Sequence, residues 1–362
     1  MKALILAGGF GTRLRPLSCT RPKSLFPVIN KPLLQWTFER LAKSKIKDAI
    51  LAVNYQTEAT IKQHRIPKYG IHVEYSRDPL RKPLGTAGPI RKAEKHIGCK
   101  DSFIVLNGDI FADVDYGEIL KLHEQKKAMA TIALHRVEDP SRYGVAELSG
   151  DNRIIRFVEK PMRESAPSNL INAGAYALSP AIFDYIPKGR AVSIEREIFP
   201  ILAEEKRLFG CVFEGLWIDI GKPEDFLQIN RVLLDTVGSP PTNKIRCSGR
   251  IKMPAAIDKE VSIGKGSIVG PYAVLGRRVK LGENVSIEDS VILPDVTISD
   301  SCRVTGAVIG EGALIGERTK IKKGCMIGDH VTVGDNVTLA EGVSVCPAKQ
   351  ISQSVLVPKT IC

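Results

Sequence analysis

At 362 residues the chain is long enough for two domains with ordinary cores, and 43% hydrophobic with 25% charged residues excludes wholesale disorder. The formal charge of +12 suits a nucleic-acid binder or an enzyme that gathers anions. No helix-turn-helix, finger or RNP-type module accompanies it, so no nucleic-acid partner is expected.

No apolar run approaches the roughly 18–20 residues needed to cross a bilayer, so no membrane association is expected. The short apolar start runs into a glycine-rich turn instead of a cleavage site, which predicts no signal peptide and a cytoplasmic protein. Eight cysteines show no CxxC pair and no zinc spacing. They are expected to be small hydrophobes in or near packed interiors.

Residues 1–237 alternate short strands with amphipathic helices. Runs 3–6, 49–53, 72–75 and 103–106 are rich in aliphatic and aromatic residues and read as buried strands. Runs 33–42 and 86–96 carry apolar residues at helical spacing. The alternation predicts an α/β, Rossmann-like sandwich with a mainly parallel sheet, whose ligands bind at the carboxyl ends of its strands.

The first motif directly follows the first strand: Ala7-Gly8-Gly9-Phe10-Gly11-Thr12-Arg13-Leu14-Arg15-Pro16. Its glycines let backbone N–H groups approach a polyphosphate closely, and Arg13 offers a planar fork of donors. Leu14 breaks the dinucleotide fingerprint, and the P-loop's terminal Gly-Lys-Ser/Thr is absent.

The segment continues as Thr20-Arg21-Pro22-Lys23-Ser24-Leu25-Phe26-Pro27-Val28 and Asn30-Lys31-Pro32. A GGxGTR turn followed by Pro22-Lys23 resembles the signature of the sugar-phosphate nucleotidylyltransferases. That resemblance implies that Ala7, Gly8, Gly9, Gly11, Thr12, Arg13 and Lys23 hold a nucleoside triphosphate, with Arg13 and Lys23 also catalytic.

Further elements follow in the family's order. Pro83-Leu84-Gly85-Thr86-Ala87-Gly88 resembles the loop that embraces the base, through Pro83, Gly85 and Thr86. Leu106-Asn107-Gly108-Asp109 ends a buried strand, and an unpaired buried carboxylate there favours a metal or helix-cap role. The resemblance makes Asp109 the catalytic ligand of a Mg²⁺ cofactor, with Asn107 and Gly108 beside the nucleotide. Asp219, in Trp217-Ile218-Asp219-Ile220-Gly221-Lys222-Pro223, resembles the second metal ligand. Magnesium takes one or two carboxylates plus phosphate oxygens and water.

The resemblance implies that the sugar phosphate is held by Tyr143 and Gly144, Glu159 and Lys160, Asn172 and Gly174, and Glu195 in Ser193-Ile194-Glu195-Arg196-Glu197-Ile198-Phe199-Pro200. A glutamate in a first helical turn is also a common dipole compensator. The implied reaction is in-line attack of a sugar 1-phosphate oxygen on the α-phosphorus, releasing pyrophosphate. It needs alignment and charge neutralisation, with no covalent intermediate.

Within the family the chain is most similar to the GDP-mannose pyrophosphorylase branch, which implies GTP and mannose 1-phosphate. Lys82 stands where that branch usually has an acidic residue, at the loop that contacts the base. Thymidylyl- and uridylyltransferases acting on glucose 1-phosphate share the phosphate and metal motifs and stay open.

Past a Pro/Gly-containing linker at 238–243 the periodicity changes. Aliphatic anchors recur every six residues at Ile263, Val269, Leu275, Leu281, Ile287 and Leu293. After a five-residue step come Ile298 and Val304, and another restarts the series at Ile309, continuing through Val345. This predicts a parallel β-helix of about five coils within 248–362, and the repeats resemble the left-handed hexapeptide-repeat family, which implies a left-handed parallel β-helix. Its expected role is homo-oligomerisation or regulation. Such β-helices also form acyltransferases, for which His330 is the candidate. A catalytically silent regulatory subunit is a third reading, opposed by the intact Arg13, Lys23, Asp109, Lys160 and Asp219.

Overall fold

The computed structural model describes every residue except 10, 12, 13, 80–82 and 239–244. The chain divides into two compact units: Met1–Gly9 with Leu33–Asp219, and Phe10–Pro32 with Ile220–Cys362. A single cut between 237 and 248 does not describe this division, because residues 10–32 and 220–237 group with the repeats. None of the described helices is long and apolar enough to cross a membrane.

The first unit is built on a nine-stranded mixed sheet. Four parallel strands, β1 (Lys2–Leu6), β2 (Asp48–Val53), β3 (His72–Arg77) and β4 (Phe103–Asn107), lie in the order β4–β1–β2–β3. Ala3, Leu4 and Ile5 are all fully buried, the continuous apolar run of a strand covered on both faces. On β4 packs the antiparallel strand Leu170–Leu178, which also pairs with Ala130–Arg136. Leu208–Val212 runs parallel to that last strand.

Helix Leu33–Lys43 buries Leu33, Leu34, Phe38 and Leu41, the spacing of one helical face. Helix Tyr55–Gln63 starts at Asn54, whose Oδ1 accepts from the Thr57 N–H at 2.8 Å. The run 86–96 expected as one helix is two short ones, Gly88–Lys92 and Glu94–Ile97. Between them the Ala93 N–H is shared by the carbonyls of Pro89 (3.0 Å) and Ile90 (3.2 Å), a local 3₁₀ tightening.

In the second unit, strands Pro27–Val28 and Lys31–Pro32 form a hairpin whose two turn residues, Ile29 and Asn30, both have positive φ. The Ile29 N–H donates to Asn230 Oδ1 at 2.7 Å, and Asn30 Nδ2 donates to the Leu275 carbonyl at 2.9 Å. Phe26 packs on Phe226 of helix Pro223–Thr236, ring centroids 5.5 Å apart.

The repeats form three parallel sheets of seven, six and seven short strands, the three faces of a β-helix. Stacked aliphatics fill its interior, with Ile263 over Leu281, Val269 over Ile287 and Leu275 over Ile292. Two expectations need correction. The anchor after Ile287 is Ile292, so the shortened step falls there, and Leu293 is buried but lies outside the stack. The coils begin at Arg246 and run to Ile361, more than the five expected, because the last turns replace regular anchors with Ile351 and Val355.

Cys346 and Cys362 form a disulfide, where packed free thiols were expected. Val345 and Ile361 are register partners on successive coils, which sets the following cysteines 4.8 Å apart at Cα. Cys302 and Cys325 are buried free thiols, as expected, but Cys19, Cys99 and Cys247 are exposed.

Candidate active site

From β1 the chain passes to β2 on one side, while β4 flanks β1 on the other, making the β1/β4 boundary the sheet's topological switch point. At its carboxyl edge the Ala7 N–H donates to the Ala52 carbonyl, and the Gly108 N–H to the Leu6 carbonyl, both at 2.9 Å. A Cβ on Gly108 would lie 2.8 Å from that Leu6 oxygen, so glycine is what lets 7–9 and 107–109 run side by side.

Asp109 comes next in the chain. Strand Ile110–Ala112 pairs antiparallel with Trp217–Asp219, in the register Asp219 to Ile110. That short ladder brings Asp219 beside the Asp109–Ile110 step. Both carboxylates are half-buried at this edge. Among the described residues no cluster of three or more His, Cys, Asp or Glu forms a metal cage. Two hard carboxylates suit Mg²⁺ that draws its other ligands from phosphate and water.

Asp78, just past β3, was not singled out by its sequence context. Its Oδ2 lies 3.2 Å from where a Gly8 Cβ would sit, and its buried Oδ1 has no partner among the described residues. Burial pushes its carboxyl up to about 6, against the opposing pull of Lys92.

The loop expected at the base is stitched to the segment before Glu195. The Ala87 N–H donates to the Val192 carbonyl at 2.9 Å, and the Val192 N–H to Leu84 at 3.0 Å. Gly85 has φ +73°, and a Cβ there would lie 2.3 Å from the Val192 oxygen. Thr86 spends its hydroxyl on Glu195 Oε2 at 2.5 Å.

The residues expected at the sugar phosphate cluster on the antiparallel half of the sheet. Gly144 is the register partner of Glu159, and a Cβ on it would lie 2.9 Å from Glu159 Oε2. The Lys160 N–H donates to the Tyr143 carbonyl at 2.9 Å, and its ammonium lies 3.5 Å from Glu159 Oε1. Burial, and then the like charge of Glu195, push the Glu159 carboxyl above its ordinary range. Tyr143 meets the edge of Trp217 at 5.0 Å, and the Trp217 indole donates to the Ala173 carbonyl at 3.1 Å.

Asn172 and Gly174 sit on an irregularity of strand Leu170–Leu178. Gly174 has φ +75°, and a Cβ there would lie 2.8 Å from Asn107 Nδ2. Asn172 accepts from the Gly174 N–H at 2.9 Å and donates to the Tyr176 hydroxyl at 3.0 Å. Tyr176 is fully buried. Tyr176 gave no distinct sequence signal, since a buried aromatic is an ordinary core residue, and half-buried Trp217 entered only as part of the motif around Asp219.

Gly11 and Lys23 belong to the second unit. Gly11 has φ +57°, and a Cβ on it would lie 3.0 Å from Lys23 Cγ, so the lysine stem lies on this glycine. Pro83 and Gly9 fall among the described residues; Thr12, Arg13 and Lys82 lie outside them. His330 occupies an exposed β-helix corner with φ +57°, its ring over Gly312.

Residues 2–236 match the nucleotidyl transferase family, and residues 251–361 match the GMPPB C-terminal domain. The chain is 43% identical over 248 residues to mannose-1-phosphate guanylyltransferase catalytic subunit beta of Danio rerio, spanning 68% of each chain. It is 40% identical over 264 residues to mannose-1-phosphate guanyltransferase of Saccharomyces cerevisiae, spanning 71% of this chain and 72% of that one. A solved Bacillus anthracis structure described as a glucose-1-phosphate thymidylyltransferase superposes with a TM-score of 0.58 at 25% identity, covering 65% of this chain and 96% of that chain. With both of its regions matched in order and a glycine-lined edge at the switch point, the chain belongs to the nucleotidyl transferase family and is an enzyme of that family.

Proposed function

We propose that the enzyme transfers a guanylyl group from GTP to mannose 1-phosphate, giving GDP-mannose and pyrophosphate, with Mg²⁺ as cofactor. The carrying observation is the ladder that brings Asp219 beside Asp109 at the glycine-lined carboxyl edge of β1 and β4. The guanylyltransferase names of the relatives from zebrafish and yeast support the choice of substrates.

Backbone N–H groups of 8–9, with Arg13 and Lys23, take the triphosphate, and Asn107 and Gly108 border the nucleotide. Magnesium, held by Asp109 and Asp219, supplies charge neutralisation on the polyphosphate. Glu159 accepts from sugar hydroxyls and Lys160 binds the sugar phosphate. The phosphate oxygen is already a nucleophile, so alignment and electrostatics carry the rate. The proposal includes a cytoplasmic location and a homo-oligomer, the latter checked by light scattering, where a monomer refutes it.

The test is pyrophosphate release with Mg²⁺ over GTP, dTTP, UTP, CTP and ATP against mannose, glucose and N-acetylglucosamine 1-phosphates. A maximum at GTP with mannose 1-phosphate sustains the proposal. A maximum at dTTP or UTP with glucose 1-phosphate favours the second reading, which Lys82 and the Bacillus likeness support. Folded protein that releases none refutes both.

A further inference from the structure

The loop that carries Lys23 is tied to the β-helix by a buried charge. Arg21 is 9% exposed, and its guanidinium reaches Glu311 Oε2 at 2.5 Å and Asp329 Oδ2 at 3.3 Å. The Thr20 hydroxyl donates to the same Asp329 oxygen at 2.6 Å.

Asp329 has a repeat duty and an additional one. On three coils an aspartate closes the corner by accepting a backbone N–H: Asp300 from Glu283 at 2.8 Å, Asp335 from Glu317 at 2.7 Å and Asp329 from Glu311 at 2.7 Å. Asp300 and Asp335 are exposed, whereas Asp329 is 4% exposed. Its Oδ1 serves the coil, and Oδ2 is left for Thr20 and Arg21. The β-helix needs no buried arginine at this corner, since the other two corners close without one.

Burying a guanidinium is costly unless it is paired, and this one is incompletely satisfied. Arg21 Nε, and Ser24 Oγ three residues on, are buried without partners among the described residues. A site chosen for stability alone would favour an apolar side chain. Between these two positions Lys23 opens a 3₁₀ turn, Lys23–Leu25, whose stem lies on Gly11. The far side of the segment is held by Asn30 on the Leu275 carbonyl and by Phe26 on Phe226.

We propose that Arg21, held by Glu311 and Asp329 of the β-helix, is a positioning residue that sets Lys23 for the nucleotide polyphosphate. This rests on the reading of Lys23 as a triphosphate ligand. The β-helix then acts on turnover through one corner, in addition to any role in assembly.

The test is steady-state kinetics on the full chain with GTP and mannose 1-phosphate, using Arg21→Met and the milder Glu311→Gln, which keeps shape and removes charge. Arg318→Met, which removes an exposed ion pair to Glu317 on another corner, is the control. For Arg21→Met we expect the KM for GTP to rise about tenfold or more, as for an Å-scale misplacement. The KM for mannose 1-phosphate should not change, and Glu311→Gln should give a smaller shift of the same kind. The double variant should be no worse than Arg21→Met alone. Unchanged GTP affinity, equal loss for both substrates, or additive effects of the pair would each overturn the proposal. If the wild-type chain turns over no nucleotide, the function reading fails, and inorganic tripolyphosphate binding decides this one. Weaker binding in Arg21→Met sustains it; equal binding overturns it.

Discussion

Thr86 Oγ1 donates to Glu195 Oε2 at 2.5 Å and accepts from the Ile194 N–H at 2.9 Å, so one hydroxyl joins the loop read as a base contact to the segment read as a sugar contact. Thr86→Val keeps the shape and removes both bonds. The Ile194 N–H then loses its acceptor, while Glu195 keeps the Ser193 hydroxyl at 2.8 Å. The expected cost is about 1–3 kcal/mol, read as a lower urea midpoint with unchanged slope. An unchanged midpoint counts against the bridge.

Asp109→Asn and Asp219→Asn should each leave the circular-dichroism spectrum intact and lower turnover by at least about 10²-fold, the scale of losing one charge-stabilising group. Excess Mg²⁺ should partly restore Asp219→Asn if the defect is metal affinity. Near-normal turnover in Asp109→Asn refutes the metal assignment.

Two carboxyls give the first unit opposite pH dependences. Arg77 and Lys62 around the buried Glu58 lower its carboxyl from 4.5 to about 2. Its contribution is therefore complete above about pH 4.5 and fades as pH falls toward 2. Asp78 is raised from 3.8 to about 6 by burial, so the folded state keeps a proton that the unfolded chain has released. That contribution is lost as pH rises from about 4 to 6. Glu58→Gln should flatten the acid limb of melting temperature against pH, and Asp78→Asn should flatten the upper one and melt higher at pH 7. A wild-type profile in either variant's own window refutes that assignment.

Ile327 is fully buried, stacked between Ile309 and Val345 of the neighbouring coils. Ile327→Ala should destabilise by about 2–5 kcal/mol, because the coil cannot collapse without breaking register above and below. A thermal scan measures it, and a shift under 1 °C would mean that the coil relaxes around the void.

Three of the parallel strands were legible because both faces are covered, which writes unbroken aliphatic runs at 3–6, 49–53 and 103–106, whereas β3, expected to be buried at 72–75, is an edge strand with His72 and Arg77 exposed. The hexapeptide phase was legible for a similar reason, since one inward residue per face must be aliphatic. It slipped at Ile292 because Val291, Ile292 and Leu293 are all apolar and burial alone cannot say which one points inward. The helix at 86–96 was read as continuous because its break at Ala93 is a bifurcated backbone bond with no side-chain signature.

Taken alone, the sequence determined what is local and periodic: the strand–helix alternation, the six-residue repeat, and glycines at 8, 9, 108, 144 and 174. Those features depend on backbone sterics and on which face is apolar, both written residue by residue. Only the tertiary structure decided what depends on long-range register. The antiparallel ladder at Ile110 and Asp219 makes two distant aspartates neighbours, and the coil spacing does the same for Cys346 and Cys362. Arg21 could be read in the sequence as one more basic residue beside a lysine motif. Its burial against Glu311 and Asp329 comes from chain segments about 300 residues apart meeting at one corner, and no local pattern encodes that meeting.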